Sequence, residues 1–231
     1  MKKNKMVALV TGSNKGIGKA IADRFENEGI IVIRNGTSES NYTNYIKADV
    51  SKKSEVVRIK KYINKNYNKL DILVNNAAFT KFIPYHDLDA LTDDIINRIF
   101  NVNVKGSIFC TQIFKEILMK SPSGLIINIA SIAGITGKGS NIAYCASKAA
   151  LINLTKSLAI CLAPVRVNSI SPGLIETGFV KFPEGHIPTT IEKTPLKRIG
   201  KPEDIADVAW SLLQSNFITG ENVLVDGGLI L

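Results

Sequence analysis

The chain of 231 residues is 45% hydrophobic with a formal charge of +9, enough for one sizeable core at a length where α/β proteins commonly form a single domain. Its apolar runs are about five residues long, well short of the roughly 18 that a membrane span needs, and its basic excess, still +6 without Lys2, Lys3 and Lys5, forms no block. Membrane insertion and a clustered nucleic-acid footprint are therefore not expected. Three cysteines (Cys110, Cys145, Cys161) without C-x-x-C spacing speak against a disulfide framework or zinc site and suit a reducing, cytoplasmic setting.

In chain order, MVALV is shorter than the roughly 7–15 apolar residues of a secretory signal, so it reads as a first strand preceded by a charged tail. Thr11-Gly12-Ser13-Asn14-Lys15-Gly16-Ile17-Gly18 follows. Gly16 to Glu28 sets Ile17, Ala20, Ile21 and Phe25 at helical spacing, with Gly29 as a stop. A second strand, IIVI, leads into NGTSESNYTN, too polar and short for a good helix, so the crossover there is expected to be a loop. YIKADV and LDILV read as strands, 93–120 as a long helical stretch, GLIINIA as a strand, and Tyr144 to Ala163 as a helix ended by Pro164. After the strand VRVNSIS, residues 173–200 hold Pro183, Pro188 and Pro195 and read as a long loop over a binding site; ENVLVD closes the series. This alternation predicts a doubly wound parallel sheet of about seven strands with helices on both faces.

Two stretches carry chemistry. In the turn between first strand and first helix, glycines allow backbone N–H groups and a helix N-terminus to approach a pyrophosphate, although three glycines in a turn also suit an ordinary strand-to-helix loop. Tyr144 and Lys148 stand at i and i+4, stacked on one helix face. There an ammonium can lower a phenol's pKa toward general acid–base work, while the same spacing also occurs on plain solvated helices. Ser131, thirteen positions earlier at the end of GLIINIA, would face the same crevice.

The T-G-x-x-x-G-x-G spacing, Asn75-Asn76-Ala77-Ala78, the serine in ASIAG, Tyr144-x-x-x-Lys148, Ser171-Pro172-Gly173 and the closing ITGENVLVDGG, in this order over almost the whole chain, resemble the short-chain dehydrogenase/reductase family. The resemblance implies a Rossmann-like fold and a catalytic set of Asn103, Ser131, Tyr144 and Lys148, with Asn103 supporting a water path from the lysine to solvent. It implies that Gly12, Ser13, Asn14, Lys15, Gly16, Ile17 and Gly18 hold a dinucleotide's phosphates, and that Asp49 and Val50 meet its adenine. Asn75 and Ala77 would line the cleft, and Pro172, Gly173, Ile175 and Thr177 would hold the nicotinamide end beside Tyr144 and Lys148. At the end of the second strand Gly36 stands where an NAD-selecting acid is sought. Thr37 and Ser38 follow and Lys15 can add positive charge, so NADP(H) is favoured, with NAD(H) the alternative.

GTSE, PGLIET and KTPLKRIGKPEDIA resemble 3-oxoacyl-[acyl-carrier-protein] reductases most. That implies NADPH-dependent reduction of a 3-oxoacyl thioester, an acidic acyl carrier protein as partner, and a homotetramer. Reduction of another ketone (acetoacetyl-CoA, a sugar, a steroid) or a non-catalytic NADP-binding scaffold are the alternatives. Ala78 replaces a usual glycine, and LAPVRVN is about two residues shorter than in relatives. His86 and His186 read as loop residues, and Cys145 and Trp210 as packed ones.

Overall fold

The computed structural model describes residues 5–231; of the expected charged tail, Met1 to Asn4 lie outside them. Seven strands, β1 (Val7–Val10), β2 (Ile31–Gly36), β3 (Tyr45–Lys47), β4 (Ile72–Asn75), β5 (Leu125–Ile129), β6 (Arg166–Pro172) and β7 (Asn222–Val225), form one parallel sheet in the order β3-β2-β1-β4-β5-β6-β7. Each falls within or beside one of the seven apolar runs. Alternation along the strands builds two cores: Val7 and Leu9 of β1 face one side, Ala8 and Val10 the other. The first side is covered by α2 (Lys53–Asn66), α4 (Gly106–Met119) and α6 (Ile142–Cys161), and the second by α1 (Gly16–Asn27) and α8 (Pro202–Gln214).

Strand order reverses between β1 and β4, and in such sheets ligands enter the crevice at the strands' carboxyl ends. The glycine turn after β1 and the Asn75–Ala78 segment after β4 meet there. Thr11 Oγ1 accepts from the backbone N–H of Asn76 and Ala77 (3.0 and 3.1 Å), and Asn76 Nδ2 donates to the carbonyls of Thr11 and Gly12 (2.9 and 3.0 Å). Ala78 is not at positive φ, so its methyl is accommodated where relatives carry glycine.

Four segments depart from the pattern read in the sequence. β3 ends at Lys47 rather than Val50, because the Asp49 carboxylate accepts from Ser51 N and Oγ (2.9 and 2.7 Å) and opens the turn into α2. The stretch 93–120 is α3 (Asp93–Phe100), a π-helical turn over Asn101–Lys105, and α4; such turns favour functional sites. A short α5 (Ala133–Thr136) precedes α6, which starts at Ile142 because Asn141 caps it, accepting from Tyr144 N at 2.8 Å; its end precedes a cis Ala163–Pro164 peptide. Segment 173–200, expected as loop, contains the two-turn α7 (His186–Lys193).

Gly18 shows how tightly the turn is assembled: a Cβ there would lie 2.5 Å from the Gly12 carbonyl oxygen and closer still to Asn76 Nδ2. Overpacking of this kind costs about 1–3 kcal/mol. Gly18→Ala is therefore expected to lower the thermal midpoint by about 2–10 °C, read by calorimetry or circular dichroism, and an unchanged midpoint would contradict this packing.

Candidate active site

One cleft of about 1580 Å³ runs along the carboxyl ends of the strands, from the glycine turn to α7. Drug-sized sites are typically about 300–1,000 Å³, so there is room for a long ligand and a second molecule. Among the described residues no cluster of His, Cys, Asp or Glu could hold a metal ion, and no helix is long and apolar enough to cross a membrane.

At one end Gly12, Asn14, Lys15, Gly16 and Ile17 line the wall. Helix α1 begins there with no side-chain cap at Lys15, so its first-turn N–H groups are left for an anion. Gly12 and Gly16 have φ of 63° and 57°, a region costly for side chains, and a Cβ on Gly12 would approach the Ala77 backbone to 2.9 Å. Ser13 and Gly18 are buried beneath this wall instead of on it. Ser13 Oγ accepts from Asn35 N (3.0 Å), fastening the turn to β2.

Next along the cleft come Gly36, Thr37 and Ser38, then Asp49 and Val50. The neighbouring Arg34 is not available here: 1% exposed, it pairs with Asp23 (2.5 Å) and Glu26 (2.7 Å) on α1. Glu39 is paired with Lys47 at 2.7 Å. The Asn14 side chain packs over Gly36, within 2.9 Å of where a Cβ would stand, and donates to Ser38 Oγ (2.9 Å) and Tyr45 Oη (3.1 Å). An acid placed at position 36 would first displace Asn14, so Thr37 is the cleaner position for one. Ala77 lines the cleft together with Asn76, whereas Asn75 is buried and donates to Asn128 Oδ1 (2.9 Å). The sequence pattern put Asn75 on the wall; the strand's alternation puts its neighbour there.

At the other end Ser131, Tyr144 and Lys148 line one wall, and Pro172, Gly173, Ile175 and Thr177 the opposite one. Ser131 Oγ accepts from Ala133 N (3.1 Å). Lys148, 2% exposed, donates from Nζ to the Ile129 carbonyl (2.7 Å) and sits 5.7 Å from the centre of the Tyr144 ring. Asn103 is in the π-turn and does not reach the cleft. Its amide clasps the backbone of Phe79, accepting from N (2.8 Å) and donating to O (3.1 Å), and donates to Ser147 Oγ (3.0 Å), which donates on to the Tyr144 carbonyl (2.8 Å). The Asn103 carbonyl accepts from Ser107 Oγ (3.1 Å).

The expected lowering of the tyrosine pKa by the lysine is not present in this unliganded cleft. Burial pushes the Tyr144 phenol up to about 12, opposed by the Ser131 hydroxyl. Burial also brings the Lys148 amine down to about 7, because a desolvated ammonium with a single carbonyl partner is disfavoured.

Several residues beside this site carry no signal in the glycine or Y-x-x-x-K patterns. Phe79, Phe82, Tyr85, Phe179, Phe182 and His186 all line the cleft. Asn141, besides capping α6, donates to Thr80 Oγ1 (3.1 Å) and the Lys81 carbonyl (2.8 Å), joining the loop after β4 to the tyrosine's helix. Cys145 is buried, its sulfur 3.2 Å from Tyr85 Oη.

A family profile described as enoyl-(acyl carrier protein) reductase matches residues 12–230. The chain belongs to the short-chain dehydrogenase/reductase family. Within this family of NAD(P)-dependent oxidoreductases, a 3-oxoacyl-[acyl-carrier-protein] reductase of Thermotoga maritima is 34% identical over 97% of this chain and 98% of its own. An NAD-dependent glycerol dehydrogenase of Listeria innocua is also 34% identical, over 96% and 92%. The ligand-free aldohexose dehydrogenase of Thermoplasma acidophilum superposes with a TM-score of 0.89 at 32% identity, covering 97% of this chain and 94% of that one. Family members similar to this chain thus differ in substrate, and one of them is NAD-dependent.

The buried lysine has a measurable cost. A shift from 10.5 to about 7 corresponds to destabilisation on the order of 5 kcal/mol when the amine must be charged. Below pH 7 the native protein bears this in full. Between pH 7 and 10.5 the unfolded chain binds more protons than the folded one, so stability rises with pH; the Tyr144 phenol acts oppositely, but only above pH 10. Lys148→Met, which leaves the Ile129 carbonyl without this donor, is expected to exceed wild type in stability by roughly 1–3 kcal/mol at pH 6. By pH 9 wild type should recover roughly 3 kcal/mol relative to the variant, as measured by urea titrations of the unliganded proteins. A pH-independent difference would refute the buried-amine assignment.

Proposed function

We propose that the protein reduces a ketone to a secondary alcohol with NADPH, and that its substrate is a 3-oxoacyl thioester, presented on an acidic acyl carrier protein in the cytoplasm. The observation that carries the reading is the convergence of Ser131, Tyr144 and a nearly fully buried Lys148 on the cleft that also holds the uncapped start of α1. The residues fit a dinucleotide: glycine backbone for its phosphates, and a lysine amine with three donors, of which one has a partner among the described residues. Asp49 and Val50 would take the adenine, and Pro172, Gly173, Ile175 and Thr177 the nicotinamide end.

When bound, the nicotinamide supplies hydride to the carbonyl carbon. Tyr144 gives its phenolic proton to the carbonyl oxygen, and its raised pKa keeps that proton in place through the neutral range, as reduction requires. Ser131 hydrogen-bonds the same oxygen. Lys148 offers its remaining N–H groups to ribose hydroxyls, and its charge steadies the tyrosinate that proton transfer leaves behind. Asn103 acts through other groups, holding Phe79 and, via Ser147, the backbone of Tyr144.

NADPH is preferred to NADH in this reading because Gly36, Thr37 and Ser38 bring no carboxylate to the cleft, and Lys15 lines it nearby. The thioester assignment is supported by PGLIET, KTPLKRIGKPEDIA and the Thermotoga relative, and a basic chain suits an acidic carrier. Assembly into a homotetramer accords with apolar side chains left at the surface, among them Ile160 and Phe217.

Steady-state assays with acetoacetyl-CoA and either cofactor test the proposal. NADPH-dependent turnover is expected, and Tyr144→Phe should reduce kcat by at least about 100-fold while NADPH still binds. Full activity in that variant would remove the assigned proton donor, and a lack of turnover on any of a broad ketone panel would favour a non-catalytic scaffold. Thr37→Asp should raise KM for NADPH at least about tenfold, as expected for one repulsion of roughly 1.4 kcal/mol, and change KM for NADH far less. Equal effects would misplace the 2′-phosphate pocket.

A further inference from the structure

Beyond Ser131 and Tyr144 the cleft is bounded by two segments of unlike construction. The loop after β4, bearing Phe82, is fixed to the base of α6: Ile83 N donates to Ser140 O (2.8 Å), and Tyr85 Oη donates to Gly137 O (2.7 Å) and accepts from Gly139 N (2.8 Å). Opposite it, residues 180–185 hydrogen-bond only into α7 among the described residues, the Pro183 carbonyl accepting from His186 N (3.2 Å) and the Gly185 carbonyl from Thr189 N (3.1 Å). None of the eight residues of α7 is buried. An aromatic contact joins the two walls, Phe82 meeting Phe182 edge-on at 6.0 Å, and within the second wall Phe182 stacks on His186 at 4.3 Å with the rings 7° apart. Phe179 leans on Tyr144 at 6.5 Å.

This end has apolar surface to spare. Phe179 is 41% and Ile187 43% exposed, both facing the cleft. On the fixed wall two hydroxyls are already engaged, Thr136 Oγ1 with the Ile132 carbonyl (3.0 Å) and Ser140 Oγ with Thr80 (2.6 Å). A polyol substrate would lose water from its hydroxyls here and find these two already paired, at a cost; an alkyl chain or ring would cover the exposed rings and give α7 something to bury.

We propose that Phe82, Phe182, His186 and the cleft face of α7 form an apolar channel for the substituent on the ketone, so that the enzyme selects ketones bearing several carbons of apolar chain and disfavours polyol-type ketones. The proposal rests on the reductase reading and specifies the substrate class of the same site.

The test compares kcat/KM with NADPH for ethyl acetoacetate, ethyl 3-oxooctanoate and dihydroxyacetone in wild type, Phe182→Ala, Phe182→Leu and Phe82→Ala. A fully buried methylene is worth about fourfold, so four of them should raise kcat/KM of the octanoate ester over the acetoacetate ester by at least about tenfold, chiefly through KM. Dihydroxyacetone should be the poorest of the three. Either alanine variant should cut the long-to-short ratio several-fold, and Phe182→Leu should retain most of it. A flat ratio, a preference for dihydroxyacetone, or a ratio unmoved by both alanine substitutions would overturn the channel. If no ketone is reduced with either cofactor, the reductase reading fails, yet calorimetry with ethyl 3-hydroxyoctanoate in the presence of NADP⁺ still decides the channel. Binding weakened by Phe182→Ala supports it, and absent or unaltered binding overturns it.

Discussion

The site depends on a lysine amine kept out of water. Nζ of Lys148 has one protein partner, the carbonyl of Ile129 at the end of β5, and a group with three donors is poorly satisfied by one acceptor. The fold tolerates that deficit because α6 is fixed on both sides. Asn141 caps its start and ties it to the loop after β4, while Thr155, farther along, accepts from Asn128 of β5 (2.9 Å), itself bonded to Asn75 of β4. Residues beneath the cleft thus position an amine that a ligand with hydroxyl acceptors would complete, as is usual where structural stability is given up for a prepared binding site.

The same economy governs the phosphate end. Asn76 and Thr11 serve as clamps between the first and fourth strands, and the glycines exist because the Gly12 and Ala77 backbones approach too closely for side chains. That closeness leaves the start of α1 facing the cleft without a cap. A helix end open to an anion and an amine open to a diol are complementary deficits set along one crevice, and a dinucleotide is the kind of molecule that answers both.

The two walls of the substrate end contrast. One is bound to the turn before α6 by hydrogen bonds of Thr80, Ile83 and Tyr85. The other carries α7 on the surface and meets the first where the rings of Phe82 and Phe182 touch. Directional bonds hold one wall to the tyrosine, whereas ring contacts, individually worth about 0.5–1.5 kcal/mol, leave the other able to adjust to what lies beneath it.

Much of this was legible in the sequence, for definite reasons. Seven strands and the glycine turn follow from apolar runs and glycine spacing, which reflect local backbone demands, and Tyr144 over Lys148 follows from helical periodicity. Tertiary structure alone decided which way each chain segment turned its side chains at the crevice: Asn76 on the wall and Asn75 beneath it, Ser13 inward, Asn103 spent on Phe79. It also decided the ionisation of Tyr144 and Lys148, since burial is a property of everything packed around a group and opposes the charge that neighbouring residues in the sequence would suggest. Likewise the meeting of Phe82 with Phe182 joins positions a hundred residues apart, and only the closing of the sheet, which sets the loop after β4 opposite the one after β6, brings them together.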